Sequence, residues 1–353
     1  MTQDSTHVDA GPAGPSAPRP APGMKDVARL AGVSHQTVSR VVNESPNVRP
    51  DTRTRVRAAM LSLGYQPNHA ARTLVTGRSQ VVGVATLGGQ YFGPASTLYG
   101  VEGAAGALGY AVSVVSVREQ SVQELRAAVT RLVRQGVEGV VVIAPIHIDQ
   151  GFLDTLAAEI PLVALEGAPE GTFGVVGVDQ VAGARMATQH LLDLGHRTVW
   201  HVAGPPDWFE AAGRQAGWRQ VLEEAGADVP PALPGDWTAR SGYEAGRLLA
   251  RIPEVTAVFT ANDPAALGLL CALAEAGRRV PEDLSIVGFD DVPESAYFTP
   301  PLTTVRQDFA EVGRRGVSQL LELINAQERT SRREMIQPTL TIRSSTAPPA
   351  AAR

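Results

Sequence analysis

From Gln80 onward, short runs rich in β-branched residues alternate with stretches of helical periodicity. The runs include VVGVAT, AVSVVSV, GVVVIAP, PLVAL, FGVVGV, TVWHVAG, TAVFTAN and LSIVGFDD. They are almost continuously apolar, as parallel strands are when helices cover both faces of their sheet. They are too many for one small sheet and fall into two comparable sets on either side of residue 178. The pattern predicts two doubly wound α/β lobes, with a ligand crevice at the carboxyl ends of their strands.

The amino-terminal segment has a different pattern, made of short helices. Asp26–Ala31 offers an apolar face, Gly32 ends it, and Ser34 can cap a second helix. Pro50 can begin a third helix, which ends before Gly64. Two helices joined by a glycine-containing turn form a helix-turn-helix, in which the second helix is free to enter a groove of DNA.

Charge also separates these two parts of the chain. Residues 23–78 carry nine Lys or Arg and three Asp or Glu, a net charge of +6, whereas residues 79–353 carry a net charge of −10. A basic head on an acidic body predicts that the head, and not the body, meets a polyanion.

The first 22 residues are rich in Pro, Ala and Gly and lack the apolar stretch of a secretory signal. No apolar run in the chain approaches the roughly 18 residues that a membrane span requires. We therefore expect a disordered leader, with Met24 as an alternative start, and a cytoplasmic protein that contacts no membrane.

The sequence gives no support for enzyme chemistry. The single cysteine, Cys271, excludes an internal disulfide and a multi-cysteine zinc site, and its apolar surroundings predict a buried structural thiol. Gly100–Gly109 has glycines three residues apart, which lacks the GxGxxG spacing and predicts a closely packed helix. P-loop, HExxH and GxSxG motifs are absent from the sequence. We expect no catalytic residue, no metal and no cofactor.

The segment DVARLAGVSHQTVSRVVNESPNV, from Asp26 to Val48, resembles the DNA-reading head of the lactose repressor (LacI/GalR) family of bacterial transcription regulators. The similarity continues through GYQPNHAARTLVTGRS, RQAGW, GDWTARSGY, FTANDPAALG, VPEDLSIVGFDD and PPLTTVRQDF, in the family's order and spacing. It implies an all-α helix-turn-helix head plus an α/β periplasmic-binding-protein-like body of two doubly wound parallel-sheet lobes.

The resemblance and the patterns together predict how the chain is divided. The expected parts are a leader at 1–22, a helix-turn-helix domain at 23–67, a hinge helix and linker at 68–79, an effector-binding and dimerisation domain at 80–345, and a disordered tail at 346–353. The expected lobes of the body are about 80–178 with 309–337, and about 179–308 with 338–345. Because no heptad-bearing extension follows the body, we expect a homodimer.

In the LacI/GalR family, the second helix of the head reads bases in the major groove. The resemblance implies base contacts from His35, Gln36 and Arg40. It implies phosphate contacts from Thr37, Ser39 and Asn43. The chemistry fits, because Arg can grip guanine with two hydrogen bonds and Gln can pair with base edges. A solvated helix face is the alternative.

The segment Asn68–Val75 resembles the hinge helix of the family, which lies in the minor groove of a palindromic operator. The resemblance implies that Asn68 contacts DNA and that Leu74 wedges between the central base pairs. A helix of this length is only marginally stable by itself, and we therefore expect it to fold only when it binds DNA. A plain linker, with Leu74 packed on the body, is the alternative.

The resemblance also implies an effector site between the lobes. Its implied residues are Arg214, Trp237, Asn262, Asp290, Gln307, Phe309, His147 and Phe92. Convergent polar groups suit sugar hydroxyls, and an aromatic ring suits the C–H face of a pyranose. Ordinary structural roles are the alternatives: Trp237 in the core, Asp290 as a cap, and Arg214 paired with a structural acid.

Some residues of this site depart from the family pattern. His147 stands where an acidic ligand occurs, and Glu210 stands where a small hydroxyl residue occurs. Tyr91 and Phe92 add aromatic rings after the first strand, and Trp208 lies beside Glu210. The effector therefore need not be a simple galactoside.

These expectations describe a repressor of carbohydrate-utilisation genes that a small sugar releases from its operator. A repressor whose purine-like corepressor strengthens DNA binding is one alternative, and GDW and TVRQDF favour the sugar over it. A sugar-binding transport protein is another, and the head and the lack of a signal sequence disfavour it.

Overall fold

The computed structural model describes residues 22–42, 45–65, 77–87, 89–117, 121–144, 150–166, 172–326 and 332–350. They belong to two compact units that divide after Arg78. The first unit contains three helices, which are α1 (Met24–Ala31), α2 (His35–Val42) and α3 (Pro50–Leu63).

The head is held together by a small core of valines and alanines. Val27, Val38, Val41 and Val56 are buried against one another from all three helices. Ser34 begins α2 as predicted, because its Oγ accepts a hydrogen bond from the backbone N–H of Thr37 at 3.1 Å.

The second unit begins with a six-stranded sheet. Its strands are β1 (Val81–Leu87), β2 (Ala111–Val117), β3 (Gly139–Ile143), β4 (Leu162–Leu165), β5 (Gly174–Val178) and β10 (Arg333–Ile336). Its helices are α4 (Phe92–Ala107), α5 (Val122–Arg134), α6 (Gln150–Glu159) and α11 (Phe309–Asn325). The strands are all parallel, in the order β10-β5-β4-β3-β1-β2. Two apolar clusters flank them, one shared with α4 and α11 and the other with α5 and α6.

A five-stranded sheet forms the second lobe. Its strands are β6 (Trp200–Val202), β7 (Ala257–Thr260), β8 (Ser285–Asp290), β9 (Thr303–Arg306) and β11 (Thr339–Thr341). Its helices are α7 (Gln180–Asp193), α8 (Phe209–Glu224), α9 (Ala239–Leu249), α10 (Asp263–Glu275) and a 3-10 turn (Pro293–Tyr297). The order is β11-β9-β8-β7-β6, and only the edge strand β11 is antiparallel within this sheet of the described chain. The predicted fold class is confirmed, with this one antiparallel edge added.

The chain passes between the two sheets three times, after β5, after β9 and after β10. The first passage leads into α7 at Gln180, and the second runs from Gln307 into α11 at Phe309. These crossings bring distant parts of the sequence together beside the ends of the strands, where a ligand crevice was expected.

The structure differs from two expectations in detail. The tail that was expected to be disordered from residue 346 has no helix or strand over residues 346–350, but Thr346 bonds to His190 at 3.0 Å and the backbone of Ala347 bonds to His196 and Ser285. These bonds join residues far apart in sequence, so composition could not reveal them. Cys271 is exposed rather than buried, because it falls on the solvent side of α10.

Replacing Gly268 by alanine is expected to lower the free energy of unfolding by about 2 kcal/mol, because overpacking a close helix contact is destabilising. Gly268 lies where α10 meets α9, and a Cβ there would overlap the carbonyl oxygen of Ala239 and lie 2.6 Å from the backbone nitrogen of Tyr243. Urea unfolding measures the change.

Gly103→Ala is the matched control, because Gly103 is an exposed residue of α4 and a Cβ there meets no described atom within 4 Å. It should raise stability by about 0.5–1 kcal/mol through helix propensity alone. Equal effects of the two substitutions would contradict the packing argument.

Candidate DNA-reading helix and effector site

The residues predicted to read bases lie together on the outer side of α2. His35, Gln36 and Arg40 are exposed, whereas Val38 and Val41 of the same helix are buried. The head's own packing therefore leaves these three side chains available to a groove of DNA.

The residues predicted to contact phosphates are only partly described. Thr37 and Ser39 are half-buried, and the hydroxyl of Thr37 lies 2.9 Å from that of Ser34 at the start of α2. Asn43, Asn68 and Leu74 lie outside the described residues, as does most of the predicted hinge.

The second unit contains a cavity of about 770 Å³, built from segments that follow the strands of both sheets. Seven of the eight predicted effector residues line it: Phe92, Arg214, Trp237, Asn262, Asp290, Gln307 and Phe309. His147 lies outside the described residues. The cavity stands where a doubly wound fold places its ligand, at the carboxyl ends of the strands.

Arg214 is the buried cation of this cavity, and only 4 % of it is exposed. Its Nη2 lies 3.5 Å from Oδ1 of Asp290, and its Nη1 donates to the carbonyl oxygen of Ala261. The guanidinium carbon lies 3.9 Å from the ring centroid of Phe289. Burial raises the pKa of Asp290 to about 6, against the opposing effect of the Arg214 charge.

Three hydrogen bonds and this ion pair form a closed ring that includes residues from two of the crossings. Arg214 Nε donates to Gln180 Oε1 at 2.9 Å, and Gln180 Nε2 donates to Gln307 Oε1 at 2.8 Å. Gln307 Nε2 then donates to Asp290 Oδ1 at 2.7 Å. The four side chains therefore fix one another's positions before any ligand binds.

Asn262 has a structural role that the sequence did not reveal. Its Nδ2 donates to the backbone oxygen of Trp237 at 2.9 Å, and its Oδ1 accepts from the backbone N–H of Ala265 to cap α10. Trp237 has a φ of 70°, a left-handed conformation that is rare for a bulky residue. Asn262 thus holds a strained backbone that presents the Trp237 indole to the cavity.

The aromatic wall of the cavity is larger than predicted. Tyr91 packs edge-on against Trp208, with ring centroids 5.1 Å apart, and Trp208 packs against Trp237 at 5.4 Å. Phe92 and Phe309 form a second edge-on pair at 5.8 Å. Edge-on pairs of this kind are stable, and Trp208 and Trp237 are only 5 % and 7 % exposed, so each presents a small part of its ring to the cavity.

Two buried carboxyl groups were not among the predicted site residues. Glu166 follows β4 and is 4 % exposed, and Glu210 lies in the first turn of α8 and is 7 % exposed. Burial raises the pKa of Glu166 to about 7 and that of Glu210 to about 8, and the charge of Glu166 raises the pKa of Glu210 further. An acidic residue directly after the buried run PLVAL was the signal for Glu166.

Some polar atoms of the cavity have no hydrogen-bond partner among the residues that the structure describes. They are Glu166 Oε1, both carboxyl oxygens of Glu210, and Trp237 Nε1. Buried polar groups are usually bonded, because leaving one unpaired costs about 1–3 kcal/mol. Within the described chain, each of these atoms is therefore left with an unmet hydrogen bond beside the cavity.

The structure also limits what else the described residues can do. They contain no group of three or more His, Cys, Asp or Glu side chains placed to hold a metal ion. Within the same ranges, every helix falls short of the length and apolarity needed to cross a bilayer.

Comparisons with known proteins bear on both units. Residues 23–68 match the family model described as bacterial regulatory proteins, lacI family, and residues 188–346 match the periplasmic binding protein-like domain. The lactose operon repressor of Escherichia coli (strain K12) is 36% identical over 307 residues, covering 86% of this chain and 85% of that protein. The regulator CelR of Thermobifida fusca is 37% identical over 337 residues, covering 92% and 98%. The repressor PurR of Haemophilus influenzae (strain PittEE) is 34% identical over 332 residues, covering 91% and 98%.

Two solved structures resemble the whole chain. The Lac repressor dimer bound to operator and the anti-inducer ONPF has a TM-score of 0.83 at 34% identity, covering 92% of this chain and 99% of that chain. The CelR–cellobiose complex has a TM-score of 0.68 at 34% identity with the same coverage. The relatives are named as repressors and regulators, in agreement with the prediction that this chain is not an enzyme. The chain belongs to the lacI family of bacterial regulatory proteins and is a DNA-binding regulator of transcription.

Proposed function

We propose that this chain is a cytoplasmic homodimer that represses carbohydrate-utilisation genes and is released from a palindromic operator by a small sugar. The main support is the lining of the 770 Å³ cavity, where aromatic rings stand beside a buried Arg–Asp pair and amide groups. Such a mixture suits a pyranose, whose C–H faces pack on rings and whose hydroxyls need donors and acceptors. The cellobiose complex of a relative with the same fold adds support.

DNA recognition in this proposal begins with the two heads of the dimer. His35, Gln36 and Arg40 read base edges from α2, and two-fold symmetry makes the preferred site an inverted repeat. Asn68 and Leu74 act in the hinge, where Leu74 unstacks the central base pairs. Selection of binding sites from random DNA tests this, and a selected set without a palindrome would overturn the dimeric mode of binding.

The sugar acts as a switch between two states of the regulator. It binds between the lobes, with polar contacts from Arg214, Asn262 and Asp290 and with Trp237 against its ring. The bound state disfavours pairing of the two hinge helices, so DNA and sugar bind alternative states and each weakens the other.

A ligand screen with two readouts tests the proposal. Sugars and purines are added to the purified chain, and both the melting temperature and the affinity for its own upstream DNA are measured. A sugar should raise the melting temperature, because it binds only the native state, and should weaken DNA binding. A purine that stabilises the protein and strengthens DNA binding would replace the proposal with the corepressor alternative.

Arg40→Ala is expected to weaken operator binding by about 1–3 kcal/mol and to relax the preference at one base pair, because an arginine that grips a base edge specifies that base. Arg57→Ala is the matched control, since it removes the same charge from an exposed position of α3. Affinities for the operator and for single-base variants, measured at one salt concentration, separate the two effects. Uniform loss on all sequences for Arg40→Ala would contradict base reading.

A further inference from the structure

We propose that the effector is an amino sugar, whose protonated amino group binds between Glu166 and Glu210 while a ring or hydroxyl oxygen accepts the hydrogen bond of Trp237 Nε1. This inference rests on the proposed function and specifies the class of sugar. It concerns Glu166, which the family resemblance did not assign to the site, and Glu210, which departs from the family pattern there.

The unpaired atoms of the cavity match the donors of an ammonium group. Glu166 offers one buried oxygen without a partner, and Glu210 offers two, as counted among the described residues. An ammonium group carries three N–H donors and no acceptor, so one such group can serve all three oxygens. A neutral hydroxyl donates a single hydrogen and leaves most of them unpaired.

The charged side chains that line the cavity also favour a cationic ligand. The described lining of the cavity includes the carboxyl groups of Glu166, Glu210, Asp290 and the exposed Glu294, but a single cationic side chain, Arg214. Arg214 is already engaged by Asp290, Gln180 and Ala261. A cationic ligand therefore adds the second positive charge that the described lining of this cavity lacks.

The protonation of the two glutamates fits this view. In the ligand-free protein, burial raises the pKa of both carboxyls into the range of about 7 to 8, so protons partly occupy the site at neutral pH. An ammonium group takes the place of these protons and forms charge-assisted hydrogen bonds with the ionised carboxylates.

The aromatic residues distinguish an amino sugar from other cations. Trp237 Nε1 is a buried donor without a partner in the described part of the chain, and a polyamine has no oxygen to accept from it. Trp208 and Tyr91 also provide ring surface of the kind that a pyranose or a cation contacts. A divalent metal ion is disfavoured, because the described residues hold no suitable group of three ligands.

Matched sugar pairs test the inference. The probes are glucose and glucosamine, galactose and galactosamine, mannose and mannosamine, and cellobiose and its fully deacetylated diamino analogue chitobiose. Calorimetry and thermal shift are measured on the full chain at neutral pH. In at least one pair the amino member should bind about tenfold more tightly than its parent, and N-acetylation should remove that gain. The inference is overturned if no amino member exceeds its parent.

Glu210→Gln identifies the subsite without a large change of shape. It should bring the amino sugar and its parent to within about twofold, because the anionic partner is lost. Glu223→Gln is the control, since it removes the same charge from an exposed position of the same helix, and it should keep the wild-type ratio. A ratio that survives in Glu210→Gln would overturn the assignment.

The two proposals fail in different ways. If neutral sugars bind and weaken DNA binding with no preference for their amino counterparts, the amino-sugar inference fails and the sugar-released repressor stands. If no sugar of either kind binds or changes DNA affinity, both proposals fail.

Discussion

Arg214→Ala is expected to abolish the response to the effector and to lower the free energy of unfolding by about 3–5 kcal/mol, the usual effect of breaking a buried ion pair. The substitution leaves Asp290 buried without its cation and removes the hydrogen bonds to Gln180 and Ala261. Affinity for operator DNA, measured where the variant is folded, should stay close to wild type because the head is a separate compact unit. Urea unfolding, calorimetry with the effector, and DNA binding measure the three quantities.

Arg219→Ala is the matched control for this prediction. Arg219 lies in the same helix, is about half exposed, and is 3.9 Å from Glu223. An exposed pair of this kind contributes about 0.2–1 kcal/mol, so stability and effector binding should change little. Arg214→Lys keeps the charge and provides a second test if the alanine variant does not fold. Wild-type effector affinity in a folded Arg214 variant would contradict the assignment.

The pair Glu166 and Glu210 is expected to lower the free energy of unfolding by about 2 kcal/mol as the pH rises from 6.5 to 8, because the folded protein holds protons that the unfolded chain has already released. The folded pKa values of Glu166 and Glu210, about 7 and about 8, lie above the ordinary glutamate value of 4.5. A carboxyl group whose pKa is raised in the folded state makes the folded protein less stable as the pH rises through this interval. Denaturant titrations at several pH values measure the slope.

The histidines act in the opposite direction and at lower pH. Burial lowers the pKa of His201 to about 4, and burial also lowers those of His190 and His196. A lowered histidine pKa increases stability as the pH rises through the ordinary histidine value of 6.5, because the unfolded chain releases protons that the folded protein does not hold. Burial also raises the pKa of Asp263, so the slope between pH 6.5 and 8 is a net effect, and the comparison of Glu210→Gln with the wild type isolates the share of the carboxyl pair.

Glu210→Gln should remove most of this slope, because Glu210 has the higher pKa of the two carboxyls and the amide cannot ionise. Glu223→Gln, on the exposed side of the same helix, should leave the slope as it is in the wild type. An unchanged slope in Glu210→Gln would show that the pH dependence arises elsewhere.

Much of the architecture was predictable because it depends on local patterns. Runs of buried β-branched residues predicted the strands, Ser34 predicted the start of α2, and the alternation of elements predicted two doubly wound sheets. The resemblance to the LacI/GalR family then named seven residues that line one cavity. These predictions succeed because strand burial, helix capping and the position of a crevice follow from short segments.

The remainder depends on contacts between distant residues. Nothing around PLVAL indicates that Glu166 approaches Glu210, and nothing around GDW indicates that Asn262 holds the backbone of Trp237. The contacts of the tail could not be predicted for the same reason, because its partners His190 and His196 are about 150 residues away. Such pairings arise from the packing of the whole domain, which local sequence does not encode separately.

The ring of Arg214, Gln180, Gln307 and Asp290 constrains the chain segments that connect the two lobes. Gln180 stands where the first crossing enters the second lobe, and Gln307 stands where the second crossing leaves it. Hydrogen bonds thus join the first and second crossings to each other and to the Arg214–Asp290 ion pair of the cavity. All four residues belong to the second lobe, so the ring fixes the spacing of the two crossings on that side of the cavity, with each hydrogen bond contributing about 1 kcal/mol. A ligand that takes over a bond of Asp290 or Arg214 therefore loosens the spacing of the two crossings as well as filling the cavity.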